Sequence, residues 1–318
     1  MWSRKFPGGG IREAGLVVLL LALVAVFTVL SPNFLTVSNF FTVTRLDAEI
    51  GLIAIGMAIV IASGGIDLSV GAIVALSSVT LGQLYARGAP LWVAIVAALV
   101  VAMLCGLFNG ALVVLLDLHP LLVTLGTLAL YRGLALGISN ATGFSEFPTS
   151  FEYFGQSYVG PLPSQLMVWA MVAVVVHVLV RHGAAGRYLL SVGVNEVAAR
   201  FSGVSLGAVR MAVYGTSGLL AGIASLIYTS RVFSARGDAG AGLELLAIAA
   251  VVLGGASIRG GEISIARTTL AVAVIGVIPN GFILAGIDTS WQYVAVGVVM
   301  VLAVALNERF ARRKVAPV

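Results

Sequence analysis

Cysteine occurs once in the 318 residues, lysine only twice, and charged side chains make up just 10% of the chain. The lone Cys105 lies in an apolar run, so the chain can build neither an intrachain disulfide framework nor a thiolate metal cluster. The two lysines, Lys5 and Lys314, do not follow the G-x-x-x-x-G spacing of a phosphate-binding loop, so the chain lacks that means of holding ATP. H-E-x-x-H and C-x-x-C are also missing, as is any pair of carboxylates suited to acid–base work. The chain is therefore expected to be no enzyme, with no catalytic residue, no metal site and no cofactor of its own.

What the chain has in abundance is apolar surface: 60% of residues are hydrophobic and the mean hydropathy is +1.09. Soluble domains hold roughly half, so an all-α polytopic membrane protein is predicted. At about 20 apolar residues per crossing, spans are expected near 14–31, 46–62, 67–86, 91–116, 120–140, 163–181, 207–230, 243–257, 268–285 and 291–307. That makes ten transmembrane helices. The segment 243–257 is short for a lipid-exposed helix, which implies shielding by neighbours or partial re-entry. The N-terminal apolar run from Gly15 to Leu30 is long for a signal peptide and has no A-x-A site after it, so it reads as a retained first span.

Arginine and lysine give the sides. Arg4, Lys5, Arg12, Arg181, Arg187, Arg200, Arg210, Arg259, Arg267, Arg309, Arg312, Arg313 and Lys314 fall on one side of the alternating spans. Arg45, Arg87, Arg231 and Arg236 fall opposite, and Arg132 falls within a span. The basic side is expected to be cytoplasmic. This predicts a cytoplasmic tail at 1–13, a transmembrane domain at 14–308 and a cytoplasmic tail at 309–318. Within the domain it predicts a cytoplasmic segment at 182–206 and an outer loop at 141–162. The net charge of +5 follows from such loops, and nucleic acid is not an expected partner.

Within "ASGGIDLSVG", Gly64 and Gly65 are expected to reverse the chain near the cytoplasmic face. Asp67, with Ser69, is expected to cap the following helix, where the positive end of the helix dipole favours a carboxylate. Asp47, Glu49, Asp67, Asp117, Glu244 and Asp288 all lie near expected span ends, where water is available. A buried ion relay would then fall to Arg132 and His177; Arg132 is expected to snorkel outward or pair with an acid.

In the segment 182–206, Asn195 is expected to cap a short helix whose apolar side is Val197, Ala198, Phe201 and Val204, leaving Glu196 and Arg200 polar. Two turns are unstable alone, which points to docking in a groove of another protein or against the chain's own spans. The outer stretch "NATGFSEFPTSFEYFGQSYVGP" is rich in aromatics and has no basic residue. It suits a soluble partner or an interfacial aromatic belt. Asn109-Gly110 and Asn280-Gly281 lie five spans apart, as two inverted five-helix halves would place them.

Six ordered stretches resemble the permease subunits of bacterial ABC importers for monosaccharides, the ribose-type branch: "GGIDLSVG", "FNGALV", "PLLVTLGTLALYRGLA", "GRYLLSVGVNEVAARFSGV", "AIAAVVLGGASIRGG" and "IGVIPNGFILAGI". The similarity runs from about residue 34 to 308. It implies a plasma-membrane (bacterial inner-membrane) permease moving a monosaccharide or small polyol inward by alternating access. The implied partners are a second permease chain, a cytoplasmic ATPase that uses ATP and Mg, and a periplasmic or extracellular sugar-binding protein. Gly186, Arg187, Gly193, Asn195, Ala198, Ala199, Ser202 and Gly203 match the family's ATPase-coupling segment, with Glu196, Arg200 and Phe201 between them. Val194, Glu196-Val197 and Leu121-Leu122 depart from the family's usual residues. Asn109, Thr124, Thr127 and Asn280 are polar positions within spans that would line a substrate path or join helices. The alternatives are a permease for amino acids or nucleosides, an ion-coupled carrier, and a membrane scaffold that moves nothing.

Overall fold

The computed structural model describes residues 9–288, 290–292, 294–295, 297–299 and 301. Residues 1–8 of the tail expected at 1–13 and the whole tail expected at 309–318, with Arg4, Lys5, Arg309, Arg312, Arg313 and Lys314, lie outside the described residues, as does most of the expected span 291–307.

Eleven α-helices run in chain order through the continuous stretch: α1 (Gly9–Leu30), α2 (Val37–Ala62), α3 (Val70–Ala86), α4 (Leu91–Leu115), α5 (Pro120–Ile138), α6 (Ser164–His182), α7 (Ala184–Val194), α8 (Glu196–Phe201), α9 (Leu206–Val232), α10 (Leu243–Leu253) and α11 (Ile265–Leu284). Between α5 and α6 lie a short 3-10 turn, Thr149–Phe154, and a two-stranded hairpin pairing Tyr158 with Pro163 and Val159 with Leu162. Among the described residues six helices are long and apolar enough to cross a membrane: Arg12–Leu30, Leu91–Leu115, Pro120–Ile138, Ser164–His182, Leu206–Val232 and Ile265–Leu284. The helix α2 is equally long but carries Arg45, Asp47 and Glu49. The helices α3 and α10 are apolar and shorter. Trp92, Val96, Val100, Leu104 and Phe108 form an exposed apolar stripe along α4, and Met171, Val174, Val175 and Val178 do the same on α6. Outward faces of this kind suit lipid rather than water.

The helix α2 lies at the centre and packs on α9; α3 and α4 also pack on α9, while α10 and α11 pack on α2. Glycine makes the closest of these approaches possible. A Cβ on Gly106 of α4 would fall on the carbonyl of Tyr214 in α9, and one on Gly218 would fall on the carbonyl of Ala102. The two backbones therefore touch, the small-residue packing that lipid-embedded helices use. Along α9 hydroxyls recur every fourth residue or its multiple on the face towards α3. Ser225 Oγ donates to the Val74 carbonyl at 2.8 Å, and Thr229 Oγ1 lies 2.7 Å from Ser78 Oγ.

The bundle has two distinguishable ends. At one, which holds α7 and α8, Arg12 Nη1 meets the Gly255 carbonyl at 3.3 Å and Glu262 at 3.5 Å. There too the N–H of Gly261 donates to the carbonyl of Ala62 at 3.0 Å. At the other, the hairpin end, Gln156 Nε2 donates to the Ser230 carbonyl and Arg45 Nη2 to the Gln156 carbonyl, at 3.1 and 3.2 Å. Phe144 and Ala235 bridge there, and Phe147, Phe151, Tyr85 and Phe233 pack together. The two groups of basic residues separated by the sequence pattern thus sit at opposite ends, as far as they are described.

Two expectations change. The second helix starts nine residues earlier than the expected span 46–62, because Thr36 caps it by accepting from the Asn39 N–H at 3.2 Å. Asp47 and Glu49 consequently lie in mid-helix and are only 2% and 3% exposed, not at a water-accessible end. Glu49 is paired bidentately with Arg231 of α9 at 2.6 and 3.0 Å, while the Asp47 carboxylate packs against Gly276 of α11. The first helix also starts sooner, at Gly9, inside the expected tail 1–13.

Placing a side chain where the α4 and α9 backbones meet forces them apart. Gly106→Val should cost about 3 kcal/mol or more, read as a lower Tm of the purified protein in detergent, whereas Leu104→Ala on the exposed face of the same helix should cost under about 0.5 kcal/mol.

Candidate functional site

The chain leaves α2 at Ala62 and turns at Ser63 and Gly64, whose φ is +84°. It then climbs back into the protein over Gly65 and Ile66 to begin α3 at Val70. Gly65 is required there because a Cβ would meet the Tyr214 hydroxyl. This brings Asp67 to complete burial, 0% exposed. One carboxylate oxygen, Oδ1, accepts from the Ser69 N–H at 3.0 Å, the Ser69 hydroxyl at 2.6 Å and the Asn109 amide at 3.5 Å. The other, Oδ2, accepts from the Ser217 hydroxyl at 3.3 Å. Asn109 Nδ2 also donates to Ser69 Oγ at 2.7 Å, and Asn109 Oδ1 accepts from the Tyr131 hydroxyl at 3.0 Å. One carboxylate thereby links the start of α3 to α4 and α9 and, through Asn109, to α5.

The expected position of Asp67 at a water-accessible cytoplasmic end is corrected. Ser217 is eleven residues into α9, about 16 Å from its start at 1.5 Å per residue, so the carboxylate lies deep within the bundle. Residues 63–69 re-enter, and a span count has no means of seeing re-entry. Asp67 bonds a backbone N–H just ahead of α3, while Ser69, the residue preceding that helix, makes no side-chain capping bond of its own.

The four polar positions considered for a path are divided. Asn109 belongs to the Asp67 cluster, and Thr124 Oγ1 donates to the carbonyl of Ile66 in the same turn at 2.9 Å. Thr127, one turn further along α5, lies 3.5 Å from the Thr124 carbonyl. Asn280 is elsewhere: its amide and that of Asn39 in α2 exchange hydrogen bonds at 2.8 and 3.0 Å. All four are buried and engaged within the chain in this conformation. Arg132 neither snorkels nor meets an acid directly; its Nη1 donates to the carbonyls of Gly237 and Ala239 at 3.0 and 2.7 Å. Ser217 and Tyr131 were missed by sequence reasoning. The four-residue spacing of small hydroxyls on α9 was the available signal for Ser217, and Tyr131 had none.

The second site is the surface formed by 182–206. Gly186 lies against the backbone of Val180, and Gly193 against the Ala62 carbonyl and the Gly261 N–H, so α7 rests directly on the bundle. Asn195 Oδ1 caps α8 by accepting from the Ala198 N–H at 3.0 Å. Gly203, with φ +80°, ends it, and Ser202 Oγ donates back to the Ala198 carbonyl. Arg187 Nη1 donates to the His182 carbonyl, and Glu196 pairs with Arg210 of α9. Ala199 packs inward on Val192 and Leu206. Val197 is 65% exposed and Phe201 88%, with Ala198 and Arg200 exposed beside them. Val197, Ala198 and Phe201 face away from the chain's own described helices, but Val204, expected on the same side, lies past the end of α8 and packs inward against the Val192, Ala199 and Leu206 cluster.

Among the described residues no cluster of three or more His, Cys, Asp or Glu side chains could hold a metal ion. The chemistry of both sites is hydrogen bonding and apolar contact. Removing the Asp67 carboxylate leaves the Ser69 N–H and the hydroxyls of Ser69 and Ser217 buried without that acceptor. Asp67→Ala should therefore cost about 3 kcal/mol, measured as a Tm loss in detergent that Ser217→Ala reproduces only in part.

Comparison with known proteins follows the same lines. Residues 39–304 match the family model described as "Branched-chain amino acid transport system / permease component". The ribose import permease protein RbsC of Escherichia coli K12 is 34% identical over 310 residues, covering 96% of this chain and 97% of the relative. The RbsC of Bacillus subtilis 168 is 37% identical over 303 residues, covering 95% and 94%. The autoinducer 2 import system permease protein LsrD of Klebsiella pneumoniae is 37% identical over 298 residues, covering 92% and 90%. The chain is a transport component, not an enzyme, and belongs to the family of branched-chain amino acid transport system permease components.

Proposed function

We propose that this chain is the membrane-spanning permease subunit of an ATP-driven importer that moves a monosaccharide or related small polyol inward by alternating access. The observation that carries the coupling part is the outward apolar face of α8. An exposed phenylalanine and valine on a capped two-turn helix are left uncovered among the described residues and suit a groove on a second protein. That protein is a cytoplasmic ATPase, which binds and hydrolyses ATP with Mg, and Asn195, Glu196, Ala198, Arg200 and Phe201 meet it. The end bearing α7 and α8 is then cytoplasmic, which accords with its arginines, and both termini lie there. The names of the relatives support the solute class.

The packing supports two inverted five-helix halves within ten spans. Among these six helices, exchanging α2 with α9, α3 with α10 and α4 with α11 maps their mutual contacts onto one another: α3 and α4 on α9 correspond to α10 and α11 on α2, and α3 on α4 to α10 on α11. Asn109-Gly110 and Asn280-Gly281 occupy corresponding helices, α4 and α11. Inverted repeats supply two related states for alternating access. A second permease chain completes the path. The exposed small residues Gly126, Ala129, Gly133 and Gly137 on α5 have open space before them and suit a close helix–helix approach. The path runs beside this face, with Thr124 and Thr127 on the inner side of α5 and Asn109 of α4 behind them setting its shape and Asn280 holding α11 to α2. A periplasmic or extracellular binding protein delivers the solute to the hairpin end.

In proteoliposomes holding the permease and its ATPase, with binding protein outside, uptake of a labelled monosaccharide should require internal ATP; uptake that persists without the ATPase overturns the proposal. Phe201→Ala should weaken ATPase binding about thirtyfold, as loss of a central aromatic anchor does, measured by co-purification and titration. Unchanged binding would remove α8 from the interface.

A further inference from the structure

The stretch that opens α10 reads Gly242-Leu243-Glu244-Leu245, with Gly242 just ahead of the helix, and the stretch before α3 reads Gly65-Ile66-Asp67-Leu68. Glycine, aliphatic residue, acid and leucine recur in order. The two stretches hold corresponding positions when the halves are exchanged. Residues 63–69 lead from α2 back into the bundle from the α7–α8 end, and residues 233–242 lead from α9 back into it from the hairpin end. Each acid accepts a hydrogen bond from a backbone N–H two residues away: Asp67 from Ser69 at 3.0 Å, and Glu244 from Gly242 at 3.2 Å.

The helices that follow start at a common level and diverge. The end of α3 lies with Phe144 and Phe147 at the hairpin end, while the end of α10 lies with Thr268 and, one residue on, Arg12 at the opposite end. Their seventeen and eleven residues span about 25 and 16 Å at 1.5 Å per residue. Together they cross the bundle as two partial helices joined N-terminus to N-terminus. Two positive dipole ends face each other at that junction, and a carboxylate between them is stabilising.

Glu244 occupies that position. Its Oε2 stands where a Cβ on Gly71 would be, beside the Gly240 carbonyl. Gly71 is the second residue of α3. Glycine at 71 therefore provides the space that seats the carboxylate, which accounts for the last glycine of "GGIDLSVG". Among the described residues Oε2 is buried without a hydrogen-bond partner, whereas both oxygens of Asp67 are engaged. The Glu244 turn is held from its other side by Arg132 of α5 through the carbonyls of Gly237 and Ala239.

We infer that Glu244 is a positioning residue for transport: seated on Gly71, its carboxylate fixes where α10 begins relative to α3, as Asp67 fixes α3 against α9. The inference rests on the permease reading above. Its effect on uptake passes through the junction of the two partial helices, not through contact with solute.

Size compensation tests the seat. Gly71→Ala puts a methyl group where the carboxylate lies, and Glu244→Asp withdraws that carboxylate by one methylene. Gly71→Ala alone should lower Tm in detergent and reduce ATP-driven uptake at least tenfold, and adding Glu244→Asp should restore at least half of each loss. Glu244→Gln, which keeps the size and removes the charge, should keep Tm within a few degrees and ATPase co-purification intact while uptake falls about tenfold. Wild-type behaviour of Gly71→Ala, or a double variant no better than Gly71→Ala, overturns the seat; wild-type uptake by Glu244→Gln overturns the role in transport. A wild-type complex that moves no monosaccharide in the same assay counts against the proposed function instead, and the melting comparison, which needs no solute, then decides the seat.

Discussion

A carboxylate with no exposed surface is tolerable only where donors surround it, and Asp67 imposes that condition on much of this structure. Its four hydrogen bonds come from Ser69, Asn109 and Ser217, so the start of α3 and the faces of α4 and α9 must meet at one point. Tyr131 brings α5 to the same cluster through Asn109. The glycines between α4 and α9 serve this convergence: with Gly106 and Gly218 in place the two backbones touch, and Asn109 and Ser217 can then both reach the carboxylate. Bulkier residues would hold the donors apart and leave the charge exposed to a low-dielectric interior. The turn, the cluster and the glycine seam form one interdependent arrangement.

The bundle also inverts the usual distribution of surface. Its exposed faces are leucine, valine and phenylalanine on α1, α4 and α6, while its polar side chains are gathered inside as hydroxyl, amide and carboxylate contacts between helices. Hydrogen bonds, ion pairs and close backbone contact give the interior its specificity, because burial of apolar side chains gains little when the surroundings are equally apolar. The Glu49–Arg231 pair between α2 and α9 and the Asn39–Asn280 pair between α2 and α11 show the same economy of means.

Much of this was legible in the residues. Long apolar runs marked the helices, arginines marked the two ends, and Asn195 ahead of Glu196 marked the capped helix α8, because each signal is local or a simple count. The start of α2 was not legible, because "VSNFFTVTR" is too polar and aromatic to read as a crossing and becomes helix through its Thr36 cap and its packing. The depth of Asp67 was equally hidden. Its partners Asn109 and Ser217 are 42 and 150 residues away in sequence, and hydropathy measures how long a helix is without telling whether the chain before it has climbed back inside. The apolar side assigned to α8 was correct for Val197 and Phe201 but not for Val204, which lies past the helix and packs inward with Ala199, a residue read only through the resemblance.

Gly193 is where the surface segment meets the rest of the molecule. It abuts the carbonyl of Ala62 and the N–H of Gly261, and neighbouring Gly260 lies against both Gly193 and Gly64. Ala62 is the last residue before the turn that carries Asp67 inward, and Gly261 lies in the link between α10 and α11. The end of α7 is thus wedged by backbone contact between two loops far apart in sequence, and it cannot press closer to the bundle without displacing the turn after α2 and the link after α10 together.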